Sequence, residues 1–389
     1  MYKFRACAQS TFFKTMLAVQ KSIFSLTNGK LAKGRFLSAL DIPCVGTNVK
    51  IVKQTEDATF VAKFNPDGTY DNSDFRVLCT TDLHLHTNPW ANNLTLQHLI
   101  WQIADLKPDL VVFTGDTILS NFQQRDAIQF AEMMERLGVY WTYVFGNHEA
   151  REEKGPFKYT LYKSLVDSPM CLSKFGKADL FGFGNFTVNV MNDENSLRQS
   201  LVFLDSGRDI IEEYARRDGV PVEWAGSYDY VKPTQIEWYT NHVEAMNKQY
   251  GKAPSMIYLH IPIPEYEGFF EDDGQGGYTV NPDTQLLYGM MRESVGCSKY
   301  NSGLFDAMKK VGGQAIFCGH DHCNDFCVVK DGIYLVYNKT GGYSTYELYE
   351  TNKLSADETT WHFGVNWADI HADSTVTLDR RSHVDFLKI

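Results

Sequence analysis

The chain has no apolar run of about 18 residues, the length a bilayer-crossing helix requires, so no transmembrane segment is expected. It also lacks the basic excess of a nucleic-acid binder. Thirty-seven Lys and Arg stand against 48 Asp and Glu, a formal charge of −11, and long nucleic acid is not an expected partner. Internal repeats and low-complexity linkers are missing, which excludes solenoids and tethered arrays. The eight cysteines (7, 44, 79, 171, 297, 318, 323, 327) form no paired CxxC motif. That excludes a zinc ribbon, and cysteines scattered through apolar runs read as buried free thiols. What remains is ordinary globular composition, 43% apolar and 22% charged, in a chain large enough to build a core without disulfides.

Residues 1–70 read as an N-terminal extension packed on the main domain. In TFFKTMLAVQKSIFSL, the residues Phe13, Met16, Leu17 and Phe24 recur near helical spacing, interrupted by Lys14 and Lys21. No small-residue cleavage site follows. A short amphipathic helix is therefore expected in preference to a signal peptide, and the expected compartment is the cytoplasm. VKIVKQ and ATFVAKF then read as strands. Residues 71–389 form the main domain. There FRVLCTT, DLVVFTG, VYWTYVFG, SMIYLHIP and GQAIFCGH read as buried strands alternating with helical stretches, which predicts an α/β fold with sheets flanked by helices. The helix in NNLTLQHLIWQIADL is expected to be capped by Asn92 or Asn93, and the one in PTQIEWYTNHVEAMNKQ to start near Thr234. Residues 266–300 read as a long loop, and the C-terminal third as hairpins.

The chemistry lies at the strand ends. Five of them carry metal-ligand residue types: Asp82 and His84, Asp116, Asn147 with His148 and Glu149, His260, and His320 with His322. Ligands gather outside the carboxyl ends of strands in α/β sheets, so these groups are expected to converge. Asp82, His84, Asp116 and His322 could form one divalent-metal site. Asp116, Asn147, His260 and His320 could form a second, with Asp116 bridging. Gly115, Gly146 and Gly319 would allow tight turns just before the ligands. A nitrogen and oxygen set without thiolate suits Mn, Fe or Zn, Mn being the first choice, better than Ca.

The ordered set Asp-x-His, Gly-Asp, Gly-Asn-His-Glu, His, Gly-His-x-His resembles the calcineurin-like metallophosphoesterase superfamily. FGFGNFTVNV, LVFLDSG, KPTQIEWY, HIPIPEY, NSGLF and GHDHCNDFC resemble its microbial, fungal and plant branch, which includes proteins labelled probable inactive purple acid phosphatases. The resemblance implies a four-layer α/β/β/α sandwich with a mixed two-sheet core and a dinuclear centre. It implies hydrolysis of a phosphorylated substrate, small molecule or protein, by metal-bound hydroxide, with His148 beside the metals as general acid. True purple enzymes carry a Tyr at the position of Leu119 and lack the histidine that is His84 here, so no iron–tyrosinate site is expected. Phosphoprotein phosphatases carry arginines this chain lacks, one of them at Phe145.

The expected activity is therefore a phosphomonoesterase. A phosphodiesterase for small diesters is the alternative within enzymes, and a scaffold that keeps the fold without turnover is the alternative outside them. Arg151, Arg208 and Asn301 are candidate phosphate contacts. His86 reads as a solvated loop residue. Glu149 reads either as orienting the site or as a turn acid capping the next helix, Asp321 as an outward spacer or an acceptor behind a ligand, and Tyr343 as a candidate cleft residue.

Overall fold

The computed structural model describes residues 37, 40–86, 89–120, 123–149, 156–252, 254–345 and 362–386. The N-terminal helix expected around residues 12–26 lies outside them. The larger sheet has nine strands. In spatial order they are β1 (Val49–Gln54), β2 (Ala58–Lys63), β6 (Phe186–Asp193), β7 (Ser196–Phe203), β8 (Ser255–Tyr258), β12 (Gly313–Cys318), β14 (Ile333–Tyr337), β13 (Asp325–Lys330) and β11 (Gln285–Met290). The smaller has five: β16 (Val376–Ser382), β15 (Gly364–Ile370), β3 (Phe75–Thr80), β4 (Leu110–Phe113) and β5 (Tyr140–Tyr143). Both sheets are mixed, each with a parallel run: β3–β4–β5 along one side of the smaller, β7–β8–β12–β14 within the larger.

Side-chain alternation along these strands builds the layers. Val77, Cys79, Leu110 and Val112 of the small sheet meet Val188, Phe203, Tyr258 and Phe317 of the large one in the core between the sheets. The intervening residues face outward. Leu78, Val111 and Phe113 pack with residues of α1 (Pro89–Leu106), α2 (Gln123–Leu137) and α3 (Pro156–Val166). Ile257, Ile316 and Cys318 pack with α5 (Pro233–Tyr250) and α6 (Leu304–Val311), α4 (Glu212–Asp218) lying in the β7–α5 connection. Helix, sheet, sheet, helix is the expected four-layer order.

Several local expectations are corrected. α1 starts at Pro89, so Asn92 and Asn93 lie inside it. Asn92 instead clamps the preceding loop, accepting from the His86 amide (2.9 Å) and donating to its carbonyl (2.5 Å). α5 is capped at Lys232, whose amide donates to Gln235 Oε1 (2.8 Å); Pro233 takes the first helical position, which leaves Thr234 inside. The stretch 266–300 is not a bare loop. It holds the hairpin of β9 (Phe270–Asp272) and β10 (Tyr278–Val280), then edge strand β11. β1 and β2 are the outer strands of the nine-stranded sheet, β2 pairing in parallel with β6, so that sheet runs across residue 70. Cys79, Cys318, Cys323 and Cys327 are buried thiols, and the described cysteines are all free.

Candidate metal centre

All five strand ends open on one side of the two sheets. Asp82 and His84 follow β3, Asp116 follows β4, Asn147 and His148 follow β5, His260 follows β8, and His320 and His322 follow β12. The backbone there is strained. Asp82, His84, Asp116 and His320 have φ of +52°, +45°, +49° and +84°, a left-handed region that costs a non-glycine residue about 1–2 kcal/mol. Only three other described non-glycine residues share it. Strain gathered at one place marks a site whose geometry the surrounding fold imposes.

The glycines act more by clearance than by turning. Gly115 does have φ +96°, but a Cβ there would also stand 2.5 Å from His260 Nδ1. At Gly146 a Cβ would collide with the Asp116 carboxylate, and at Gly319 with Thr81 Oγ1. Neither Gly146 nor Gly319 has positive φ. They let two loops close on the acids, which a turn argument from sequence does not capture.

Each acid divides its two oxygens. Asp82 Oδ2 accepts from the His320 amide (3.0 Å) and Thr81 Oγ1 (2.7 Å). Asp82 Oδ1 faces His322 Nε2 (3.2 Å) and His84 Nε2 (3.4 Å). Asp116 Oδ1 accepts from the His148 amide (2.8 Å). Asp116 Oδ2 lies 3.5 Å from Nε2 of both His84 and His260. Asp82 Oδ1, Asp116 Oδ2, His84 Nε2 and His320 Nε2 are buried without a hydrogen-bond partner. Buried polar atoms are nearly always satisfied, so four such atoms in one cluster point to a missing ligand. Two groups have donor atoms close enough to share an ion: Asp82, His84 and His322, and Asp82, Asp116 and His260. Asn147 Oδ1 adjoins the second group, 2.9 Å from His260 Nε2. The His320 ring lies 5.2 Å from that of His260. His260 Nδ1 donates to the Thr114 carbonyl (2.8 Å), which turns Nε2 to the centre, where a bound cation would take the place of its proton.

The electrostatics favour cations. Burial alone would raise the carboxyls of Asp82 and Asp116. Neighbouring imidazoles outweigh it and hold both well below the usual carboxylate range. Burial alone would likewise lower His84 and His260, but Asp116 and Asp82 push them up to about 9 and about 10. His320 goes the other way, to about 3, through burial and the charge of His260. The paired carboxylates of Asp82 and Asp116 make the pocket favourable to positive charge, and its N/O donor set fits divalent ions.

Glu149 is one residue whose part sequence alone left open. Among the described residues the next helix, α3, is Pro156–Val166, and the bonds of Glu149 run back to the Asp116 turn instead. Its buried carboxylate accepts from the amides of Asp116 (3.0 Å), Gly146 (2.8 Å), Ile118 (2.9 Å) and Thr117. Burial and the Asp116 charge push it up to about 7, against those donors. It locks the turn carrying Asp116 to the loop carrying Asn147. Glu149→Gln turns two acceptor lone-pair sites into donors facing donors. We expect a loss of about 1–3 kcal/mol, read as a lower urea midpoint at unchanged slope. An unchanged midpoint would contradict this locking role.

A cleft of about 250 Å³ opens over the cluster. His84, His320 and His322 reach it from below; His148, Tyr228 and Asp321 stand around it. His148 is 30% exposed at its side chain, with Nε2 3.9 Å from Asp116 Oδ2. His86, partly exposed, also lines the cleft, on the loop that Asn92 clamps. Asp321 is buried and accepts from the Gly296 amide (2.7 Å) and the Tyr337 hydroxyl. Tyr343 does not reach the cleft. It is buried against His98 Nδ1 (2.7 Å), and Ser344 and Thr345 line the cleft instead. Of the three candidate phosphate contacts, Arg208 pairs with Asp209 (3.0 Å) and Asn301 with Glu265 (2.6 Å), both outside the cleft lining. Arg151 lies outside the described residues. Larger grooves of about 440 Å³ between α2 and α3 and about 520 Å³ beside α5 hold neither metal-competent group. Among the described residues, no helix is long and apolar enough to cross a membrane.

The chain is 29% identical over 322 residues to the Arabidopsis thaliana protein named "Probable inactive purple acid phosphatase 14", which covers 73% of each chain. It is 29% identical over 299 residues to "Phosphatase DCR2" of Saccharomyces cerevisiae, covering 70% of this chain and 48% of that longer one. A dimetal phosphatase from Danio rerio aligns over 80% of this chain and 97% of its own, at 14% identity and a TM-score of 0.48. The calcineurin-like phosphoesterase family model matches residues 75–324, from the start of β3 past His322; with every strand end of the cluster inside that span, the chain belongs to the calcineurin-like phosphoesterase family.

Proposed function

We propose that the protein is a phosphomonoesterase working with two divalent cations, Mn, Fe or Zn, with Mn the first choice. One observation carries the reading: the partnerless inner oxygens of Asp82 and Asp116, turned on imidazole nitrogens of His84, from the same strand end as Asp82, and of His260 and His322, from two others. Asp82, His84 and His322 would hold one ion, and Asn147, His260 and His320 the other, with Asp116 between. When bound, such a pair polarises a phosphoryl group, neutralises developing charge and lowers the pKa of water.

The chain's own residues do the rest. Asp116 spends Oδ1 on the His148 amide and keeps Oδ2 for the centre, so one side chain sets both the acid and the ions in register. His148, partly exposed in the cleft, is the group placed to reach a leaving oxygen, and it gives that oxygen a proton from its ring. His260 is kept in the useful tautomer by Thr114.

The test is hydrolysis of p-nitrophenyl phosphate against bis-p-nitrophenyl phosphate by metal-reconstituted protein, with metal analysis. We expect chelator-sensitive turnover that favours the monoester. A preference for the diester would move the assignment to phosphodiesterase. Two bound metals with no hydrolysis of either would leave a scaffold, in keeping with "inactive" in the plant relatives' names.

A further inference from the structure

Outside the imidazoles, the cleft's aromatic wall is Tyr228, and its position is built. It lies in the connection between β7 and α5. Backbone bonds from Ile210 to the Ser227 carbonyl (2.8 Å), from Gly226 to that of Ile210 (3.0 Å) and from Asp229 to that of Arg208 (3.1 Å) tie the arms of this connection around it. The next residue, Asp229, is buried in an ion pair with Lys232. The Lys232 ammonium is enclosed by the rings of Tyr230 (3.7 Å) and Phe181 (4.5 Å). The backbone of Tyr228 is thus held from both sides.

Its ring stands at 90° to that of His320, with centroids 4.4 Å apart. Tyr228 nevertheless keeps 38% of its surface exposed. Leu119 lines the same cleft. A fixed aromatic ring with spare surface beside a polar centre, joined by an aliphatic neighbour, is how a site selects the apolar part of a ligand. A phosphoryl group held at the centre would send its ester substituent along this wall.

We propose that Tyr228 is a specificity-determining residue whose ring, with Leu119, receives the organic group of a phosphate ester and selects flat, uncharged aryl groups over small alkyl groups. The proposal rests on the phosphoesterase reading above, and the experiment separates the two. Full-length, metal-loaded wild type, Tyr228→Phe, Tyr228→Leu and Tyr228→Ala are titrated calorimetrically with phenylphosphonate and methylphosphonate, and metal content is measured for each. Wild type should bind phenylphosphonate more tightly. Tyr228→Ala and Tyr228→Leu should lose about three- to tenfold of that affinity, hold methylphosphonate within about twofold, and keep their metals. Tyr228→Phe, which retains the ring, should keep the preference.

The proposal is overturned if wild type has no phenyl preference or binds neither phosphonate, if both ligands weaken alike, or if metal is lost. Turnover is a separate reading. A wild type that binds phenylphosphonate but hydrolyses neither phenyl phosphate nor ethyl phosphate refutes the phosphoesterase assignment and leaves the selectivity result standing.

Discussion

Asp116→Asn should lower metal occupancy at both positions together and reduce turnover about a thousandfold or more. Its carboxylate is fully buried, with one oxygen on the His148 amide and the other equidistant from an imidazole of each metal-competent group. A carboxamide keeps the shape but removes the charge, and whichever way it sits its NH2 faces either the His148 amide or the centre, where a lone pair is needed. Losing several kcal/mol of charge stabilisation amounts to about three orders of magnitude in rate. Metal analysis beside kcat is the measurement. Loss of one ion with the other retained would show that Asp116 serves a single site.

His148→Ala should do the opposite with metal and as much with rate. Its ring stands in the cleft with Nε2 3.9 Å from Asp116 Oδ2, and it belongs to neither close donor group. Both ions should stay. Turnover of an alkyl phosphate, whose leaving oxygen needs a proton, should fall about 10²–10⁴-fold, while p-nitrophenyl phosphate, whose leaving group departs unaided, should suffer far less. Near-wild-type turnover of the alkyl ester would remove His148 from proton transfer. The two variants together separate holding the ions from moving the proton.

Much of this was legible in the primary structure, for a physical reason. Metal-ligand side chains recurred directly after apolar β runs, and strand order brings such positions together whatever the loops do. The same logic covers the layers, since the strands flanking Asp82, Asp116 and His320 alternate between two cores. What stayed hidden depends on long-range packing. The bond from Glu149 back to the Asp116 turn joins residues far apart in sequence, and Tyr228 meets His320 only because two connections converge. Asn92 read as a helix cap because a stretch of helical periodicity follows it, yet proline opened the helix earlier and left Asn92 to hold His86. Tyr343 followed a motif closely but pointed into the core. Nearness to a motif along the chain does not say which way a side chain faces.

The two metal-competent groups are drawn from both halves of the sandwich. Asp82, His84 and Asp116 stand on the smaller sheet, and His260 and His322 on the larger. Elsewhere the seam combines apolar packing with polar ties such as the Arg380–Asp325 ion pair and the Lys339 amide on Asn366 Oδ1 (2.7 Å). Ions gripped from both sides would rivet the halves at one edge. Metal binding and the alignment of the two walls would then be linked, each favouring the other.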